Sequence, residues 1–438
     1  MKPDFFSIPY LPDTSFLLEQ LKGETHLVAL ESANPKHPNG RWSIISASPT
    51  EWITLHKKVE AHVLEEDIAK LANKLPTIDS DFPFTGGVLG LLSYELGESH
   101  IVSKNNCVEH SPPIAVYGLY TWAFLFDHQA EAGYLVYWSE LSHVKAEQLI
   151  KTYEEAYSKT KLSEFNLTSD ITPAWTKAQY LNKFDSIKRY INSGDCYQIN
   201  LTQLFRGKYN GSSLTAYSKI KAAAKAPYAT YFDLGDCQLA SASPELFIEF
   251  SGGKATTKPI KGTRPRSIDF AIDSKNKLDL SQSEKDRSEN IMIVDLLRND
   301  LSKHGNEVNV EKLCEVETFE TVHHLVSTVS AKVEPERYLR VLLDAFPGGS
   351  ITGAPKTRAM EIIDELEDFD RRFYCGSCFA ISSSQKVMSN ILIRSFIFDQ
   401  KNSIVTCWAG GGIVADSEGE EEYQESLDKI SKLIEAIS

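Results

Sequence analysis

Short apolar runs broken by turn formers fill the early part of the chain. His26 to Leu30, Trp42 to Ser46, Val88 to Tyr94 and Ala115 to Phe126 are rich in aromatic and β-branched residues. Such runs predict strands of an extensive, largely antiparallel sheet. A helical period appears around Glu147 to Tyr157. Lys159 to Ala174 is polar, carries one proline and has no clear period, so a linker is expected there. The chain is therefore divided into a strand-rich N-terminal domain, 1–165, and a second domain, 166–438.

From Thr176 the pattern changes. Tyr180, Phe184, Ile187 and Ile191 recur at three- and four-residue spacing and predict a helix that Gly194-Asp195 closes. Cys196 to Thr202 then alternates like a strand. Strands grouped with helices, without strict alternation, give an α+β class.

The hairpin signal is strongest at Ser251-Gly252-Gly253-Lys254, because adjacent glycines suit the positive φ angles of a tight turn. Counting outward from that turn brings Glu245 to within one residue of register with Lys261. Pro259 cannot donate to a ladder, so the pairing ends or lies at an edge near it. A carboxyl and an amine so placed form either a structural salt bridge or a reactive pair.

Ser288 to Leu301 is a helix whose apolar residues cover nearly every direction, which predicts burial on all sides. Asp295 and Arg298 can pair within it. Glu289 has no obvious intrahelical cation and is either solvated or bound to something positive. Pro347 to Pro355 and Gly410-Gly411-Gly412 are glycine-rich and read as turns whose N–H groups can bind a carboxylate. Pro355 is expected in the first turn of a helix, and the P-loop spacing is absent. At the C-terminus, Ser417 to Glu420 fits a capping box, followed by a stripe of Tyr423, Leu427, Ile430, Ile434 and Ile437. Glu425 and Lys429 project from the other face, as an ordinary ion pair would.

Composition narrows the function classes. With 438 residues, two or three domains or one large body are expected. At 42% hydrophobic and 24% charged it can bury a sizeable core. A net charge of -14 argues against nucleic acid or an anionic membrane as partner, while leaving room for a local basic pocket. Seven cysteines, odd and scattered, do not make a disulfide framework. Cys375 and Cys378 read as two thiols in an apolar strand. There is no signal-peptide pattern, and Ser111 to Phe126 is too short to span a bilayer, so a cytoplasmic setting is expected.

Taken in order, these stretches resemble the chorismate-utilising enzymes. The match is carried by Gly194 to Leu201, Ala242-Ser243-Pro244-Glu245, Pro259 to Arg266 and Asp286-Arg287-Ser288-Glu289-Asn290 through Leu301. It continues through His323 to Ser327, Phe346 to Glu367 and Ala409 to Lys429. The resemblance implies large antiparallel sheets packed face to face with helices outside. It also implies Mg2+ held by Glu289 and Glu425, Glu245 as general acid, and Lys261 as covalent nucleophile. Gln198, Thr263, His324, Thr352, Arg394, Gly410, Gly411, Gly412 and Lys429 become substrate-binding residues. Leu30-Glu31-Ser32 and, more loosely, Ala226-Pro227-Tyr228 resemble a tryptophan-binding element, which makes Glu31, Ser32, Pro227 and Tyr228 a regulatory candidate.

Two positions sort the reactions of this family. Relatives that add water carry a lysine where this chain has Gln198, and anthranilate synthases carry alanine where it has Lys261. Gln198 with Lys261 implies amination of chorismate at C4, towards p-aminobenzoate and folate. The ammonia would come from a separate glutamine amidotransferase subunit, since no domain for glutamine hydrolysis is evident here. The competing readings are anthranilate synthase component I and a non-catalytic ligand-binding subunit. Lysine chemistry makes a demand: an ordinary amine is neutral about once in 2,500 molecules at pH 7, a cost of roughly 4.6 kcal/mol. Lys261 is thus expected near Glu245 but not locked to it.

Overall fold

The structure is a computed structural model that describes residues 2–34, 37, 39–97, 113–158, 161–319 and 322–438. Two antiparallel sheets, of thirteen and ten strands among the described residues, dominate it. Alternation along the strands assigns the two faces of the larger sheet. Val28, Ile44, Leu125 and Val136 enter the core shared with the smaller sheet. Their neighbours Ala29, Ile45, Phe124 and Leu135 meet an outer helical layer. That layer contains Ser15–Leu21, Ala146–Ser158, Ser213–Ala224 and Gly419–Ile437. Burial of both faces explains why the run from Ala115 is apolar at almost every position and not at every second one. It forms two strands, Ala115–Tyr120 and Trp122–Asp127, broken at Thr121.

Both sheets draw strands from each side of residue 165. Val28–Glu31 pairs with Tyr228–Asp233 in the larger sheet, and Gly87–Leu92 pairs with Ser377–Ser382 in the smaller. The segment expected as a linker contributes Phe165–Leu167 and Thr172–Pro173, both paired to the long strand Gln198–Gly211. Residues 159 and 160 lie outside the described residues.

The helix predicted after Thr176 is Lys177–Ser193. Thr176 and Gln179 complete a capping box, and Gly194 at φ 85° closes it. The Gly252-Gly253 turn sets the predicted register, with Ser251 opposite Lys254 and Glu249 opposite Thr256. Three expectations are corrected. The helix Glu284–Ser302 is not buried all round, because Ile291 is 45% exposed. Ser417 does not cap the last helix; Glu418 takes the N-cap position, and the Ser417 hydroxyl instead donates to Glu422 Oε1 at 2.7 Å. Gly410-Gly411-Gly412 is not a turn. It lies inside the strand Ile404–Ile413, opposite Asn200, Leu201 and Thr202. The free cysteines Cys375 and Cys378 are both buried; only Cys378 is in the strand Ser377–Ser382.

Candidate active site

A cavity of about 1120 Å³ opens where the two sheets part. The strand Ser395–Asp399 pairs with Ile404–Cys407 and then turns away at Arg394, whose φ is 54°. Beyond Cys407 the glycine-rich half of Ile404–Ile413 therefore has one edge uncovered. Side chains would close the space: a Cβ on Gly411 would sit 3.0 Å from Glu422 Oε2, and one on Gly412 3.0 Å from Gln198 Cδ. The glycines serve close approach here, not chain reversal.

Lys261 reaches the cavity from Ile260–Pro265, which pairs with Val322–Lys332. A register shift between Ile260 and Thr263 bulges the strand at Lys261-Gly262, with Gly262 at φ 82°. Such a bulge re-aims a side chain. A methyl group on Gly262 would meet Asp286 Cγ at 2.7 Å. Glu245 precedes Leu246–Ser251 and is buried. The hairpin thus brings both residues to one cavity, although they are not ladder partners; past Pro259 the chain keeps its pairing with Val322–Lys332 but no longer pairs with Leu246–Ser251.

Ser350 stands between them. Its hydroxyl donates to Glu245 Oε1 at 2.7 Å, and its carbonyl accepts from Lys261 Nζ at 3.4 Å. No direct ion pair joins Glu245 to Lys261. Burial pushes the Glu245 carboxyl above its usual range, against the Ser350 hydrogen bond and the Lys261 charge. Burial likewise pulls the Lys261 amine down, against Glu289 and Glu245. Each group is biased towards its neutral form by desolvation.

Arg394 lines the cavity and makes no ion pair or side-chain hydrogen bond among the described residues. An unpaired guanidinium in a recess is costly unless an anion completes it. Beside it, burial and the Arg394 charge hold His324 down to about 4, so its ring is neutral at pH 7. Thr263 Oγ1 lies 2.8 Å from His324 Nδ1. Lys429 pairs with Glu425 at 2.5 Å and donates to the Gly410 carbonyl at 2.9 Å.

Gln198 and Thr352 lie behind the cavity wall. Thr352 donates to the Gly348 carbonyl at 3.0 Å, and its own carbonyl accepts from Asn200 N at 2.7 Å. Gln198 is fully buried, and among the described residues neither amide atom has a partner; its amide lies against Gly412, which lines the cavity. An unsatisfied buried amide costs roughly 1–3 kcal/mol. The wall is braced by Arg371, which holds Glu367 at 2.6 Å and the carbonyls of Ile351 and Asn200 at 2.9 and 2.7 Å.

Glu289 and Glu425 face this cavity from two helices, together with Glu422, which sequence reasoning missed. Glu422 sits three residues before Glu425, and that spacing was its signal. Ser350 was also missed. Burial raises the pKa of Glu289 and Glu422; at Glu425 burial acts the same way, but Lys429 outweighs it and holds the carboxyl low. Among the described residues no three His, Cys, Asp or Glu side chains converge into a closed metal cage. Carboxylate oxygens are nonetheless the donors a hard dication takes, and Mg2+ is commonly held by one or two of them with waters and substrate oxygens. Glu289, which has no ion-pair partner among the described residues, and Glu425 fit that open arrangement.

The N-terminal candidate residues lie elsewhere. Glu31 is buried and accepts from Tyr217 at 2.8 Å and Lys221 at 3.0 Å, with Thr14 on its other oxygen. Ser32 accepts from Asn34 N at 3.1 Å. Tyr228 opens the strand paired with Val28–Glu31, directly after Pro227.

Residues 25–435 match the family model described as chorismate binding enzyme. The chain belongs to that family. It is 37% identical to aminodeoxychorismate synthase component 1 of Salmonella typhimurium, across 100% of this chain and 99% of that protein. Anthranilate synthase component 1 of Bacillus pumilus is 30% identical, over 96% of this chain and 89% of that one. The crystal structure of anthranilate synthase component I from Streptococcus pneumoniae superposes with a TM-score of 0.77 at 28% identity, covering 91% of this chain and 93% of that one. This member of the chorismate binding enzymes is therefore an α+β enzyme of two large antiparallel sheets, as expected. Among its described residues no helix is long and apolar enough to cross a membrane.

Proposed function

We propose that this enzyme converts chorismate and ammonia to 4-amino-4-deoxychorismate, for p-aminobenzoate and folate synthesis. The observation that carries the reading is the Lys261–Ser350–Glu245 arrangement: an amine and a carboxyl in one cavity, each biased neutral, and kept from direct pairing. Neutral Lys261 attacks C2 of chorismate, and its nitrogen forms a bond there as both ring double bonds shift towards C4. Glu245 protonates the departing C4 hydroxyl, which leaves as water. Ammonia then adds at C4, both double bonds return, Lys261 is expelled from C2 as the neutral amine, and a proton from the new C4 ammonium restores Glu245. The enolpyruvyl group stays in place throughout. Covalent relay of this kind divides one difficult displacement into two.

Arg394 and the uncovered glycine edge receive a substrate carboxylate, and neutral His324 with Thr263 offers hydrogen bonds without adding charge. Lys429 buttresses that edge through Gly410. Gln198 turns its unpartnered amide towards the incoming nucleophile past Gly412, while Thr352 fixes the turn that carries Ser350. Glu289 and Glu425 would hold Mg2+, which would supply positive charge for a second substrate carboxylate. A glutamine amidotransferase subunit supplies the ammonia, in keeping with the component 1 designation of the Salmonella relative. The Glu31, Ser32, Pro227 and Tyr228 region is a regulatory tryptophan site in this reading, and the protein works in the cytoplasm.

Incubation with chorismate, Mg2+ and ammonium salt, followed by mass spectrometry, tests the proposal. The expected product is 4-amino-4-deoxychorismate; anthranilate with pyruvate would overturn it. Lys261→Ala should lower turnover by about 10²–10⁴-fold and abolish the mass shift of a trapped chorismate adduct. An undiminished adduct in that variant would sink the nucleophile assignment.

A further inference from the structure

Lys285 has no task in the reaction described above. It lies in the first turn of Glu284–Ser302, one turn before Glu289, and reaches the rim of the cavity. Glu289 on its own helix and Glu422 and Glu425 across the cavity all feel its charge. Glu425 is already paired with Lys429, yet Lys285 closes an ion pair within 4.0 Å with none of the three. A lysine one turn from an acid on an exposed helix face ordinarily pairs with it. Here the acid turns into the cavity, and the ammonium stands at its rim without an ion pair to it.

We propose that Lys285 is the resident counter-cation of these carboxylates, partly neutralising Glu289, Glu422 and Glu425 until a divalent cation binds and displaces it towards solvent. The inference rests on the magnesium reading. Three carboxylates facing one cavity from two helices repel one another, and a single positive charge shared among them relieves that repulsion without occupying the ligand positions. Its flexible four-carbon stem lets the ammonium withdraw. The consequence is competition, because Lys285 repels the dication that replaces it. Intrinsic metal affinity is then set below what the carboxylates alone would give.

The test is a Mn2+ titration of the full-length protein without chorismate, read from the loss of the free-ion EPR signal. Lys285→Met should tighten binding by about 3–30-fold, the range expected for removing one partly screened charge near a dication. Lys285→Gln should act in the same direction, and Lys285→Arg should stay within about twofold of wild type because the charge is kept. Unchanged or weakened binding in both neutral variants, with Glu289→Gln still weaker than wild type, overturns the role of Lys285 alone. Equal or absent binding in wild type and Glu289→Gln overturns the magnesium reading and this proposal with it.

Discussion

At the scale of single residues, the site depends on keeping two opposite groups apart. Ser350 holds Glu245 by its hydroxyl and Lys261 by its carbonyl. Its hydroxyl lowers the Glu245 pKa, so Ser350→Ala should move the alkaline limb of kcat/KM to higher pH, since the proton donor then stays protonated longer. Activity at pH 7 should fall by no more than about tenfold, the worth of one hydrogen bond. A shift to lower pH would mean instead that Lys261 had closed on Glu245. The pair was legible in the sequence because a two-glycine turn fixes register over a short distance. Ser350 was not, since it arrives from a turn more than a hundred positions along the chain. Glu422 was hidden in a different way: it lies on the buried side of its helix, where an apolar residue is the ordinary occupant.

At the scale of elements, strand irregularities do the aiming. The bulge at Lys261-Gly262 turns the lysine into the cavity, and only glycine tolerates that φ beside Asp286. Gly262→Ala should therefore lower kcat by about 10–100-fold while costing roughly 1–3 kcal/mol of stability. Comparing steady-state kinetics with a denaturant melt checks this; a fall in stability with kcat intact would contradict the aiming role. Helices with local punctuation were legible, as Thr176, Gln179 and Gly194 illustrate. The triple glycine was misread because its strand identity depends on Asn200 to Thr202, a pairing no local pattern announces. The outward Ile291 was misread for a related reason: periodicity gives the apolar arc of a helix but not which neighbours arrive to cover it.

At the scale of the whole molecule, the site subtracts from stability. The Glu245 pKa is raised on folding, so its contribution is fully present below its ordinary value near 4.5 and is lost as pH rises through the folded value. The Lys261 pKa is lowered, so its contribution is present above about 10.5 and is lost as pH falls through the folded value. At pH 7 both are penalties. Glu245→Gln and Lys261→Met should each raise Tm by about 2–4 °C at pH 7 while lowering turnover by about 10²–10⁴-fold. The gain should vanish near pH 4 for the first and shrink towards pH 10.5 for the second. A Tm that falls at pH 7 in either variant would contradict the sign. The interleaving of the sheets has a different consequence, in time. Leu30 stands opposite Thr230 in its ladder, and Leu91 opposite Cys378. A ribosome adding about 5–20 residues per second leaves Leu30 waiting on the order of 10–40 s for its partner strand, and Leu91 longer. For that interval the growing chain carries open, apolar sheet edges that no order of synthesis can close early, so a nascent copy depends on being shielded until its last strands emerge.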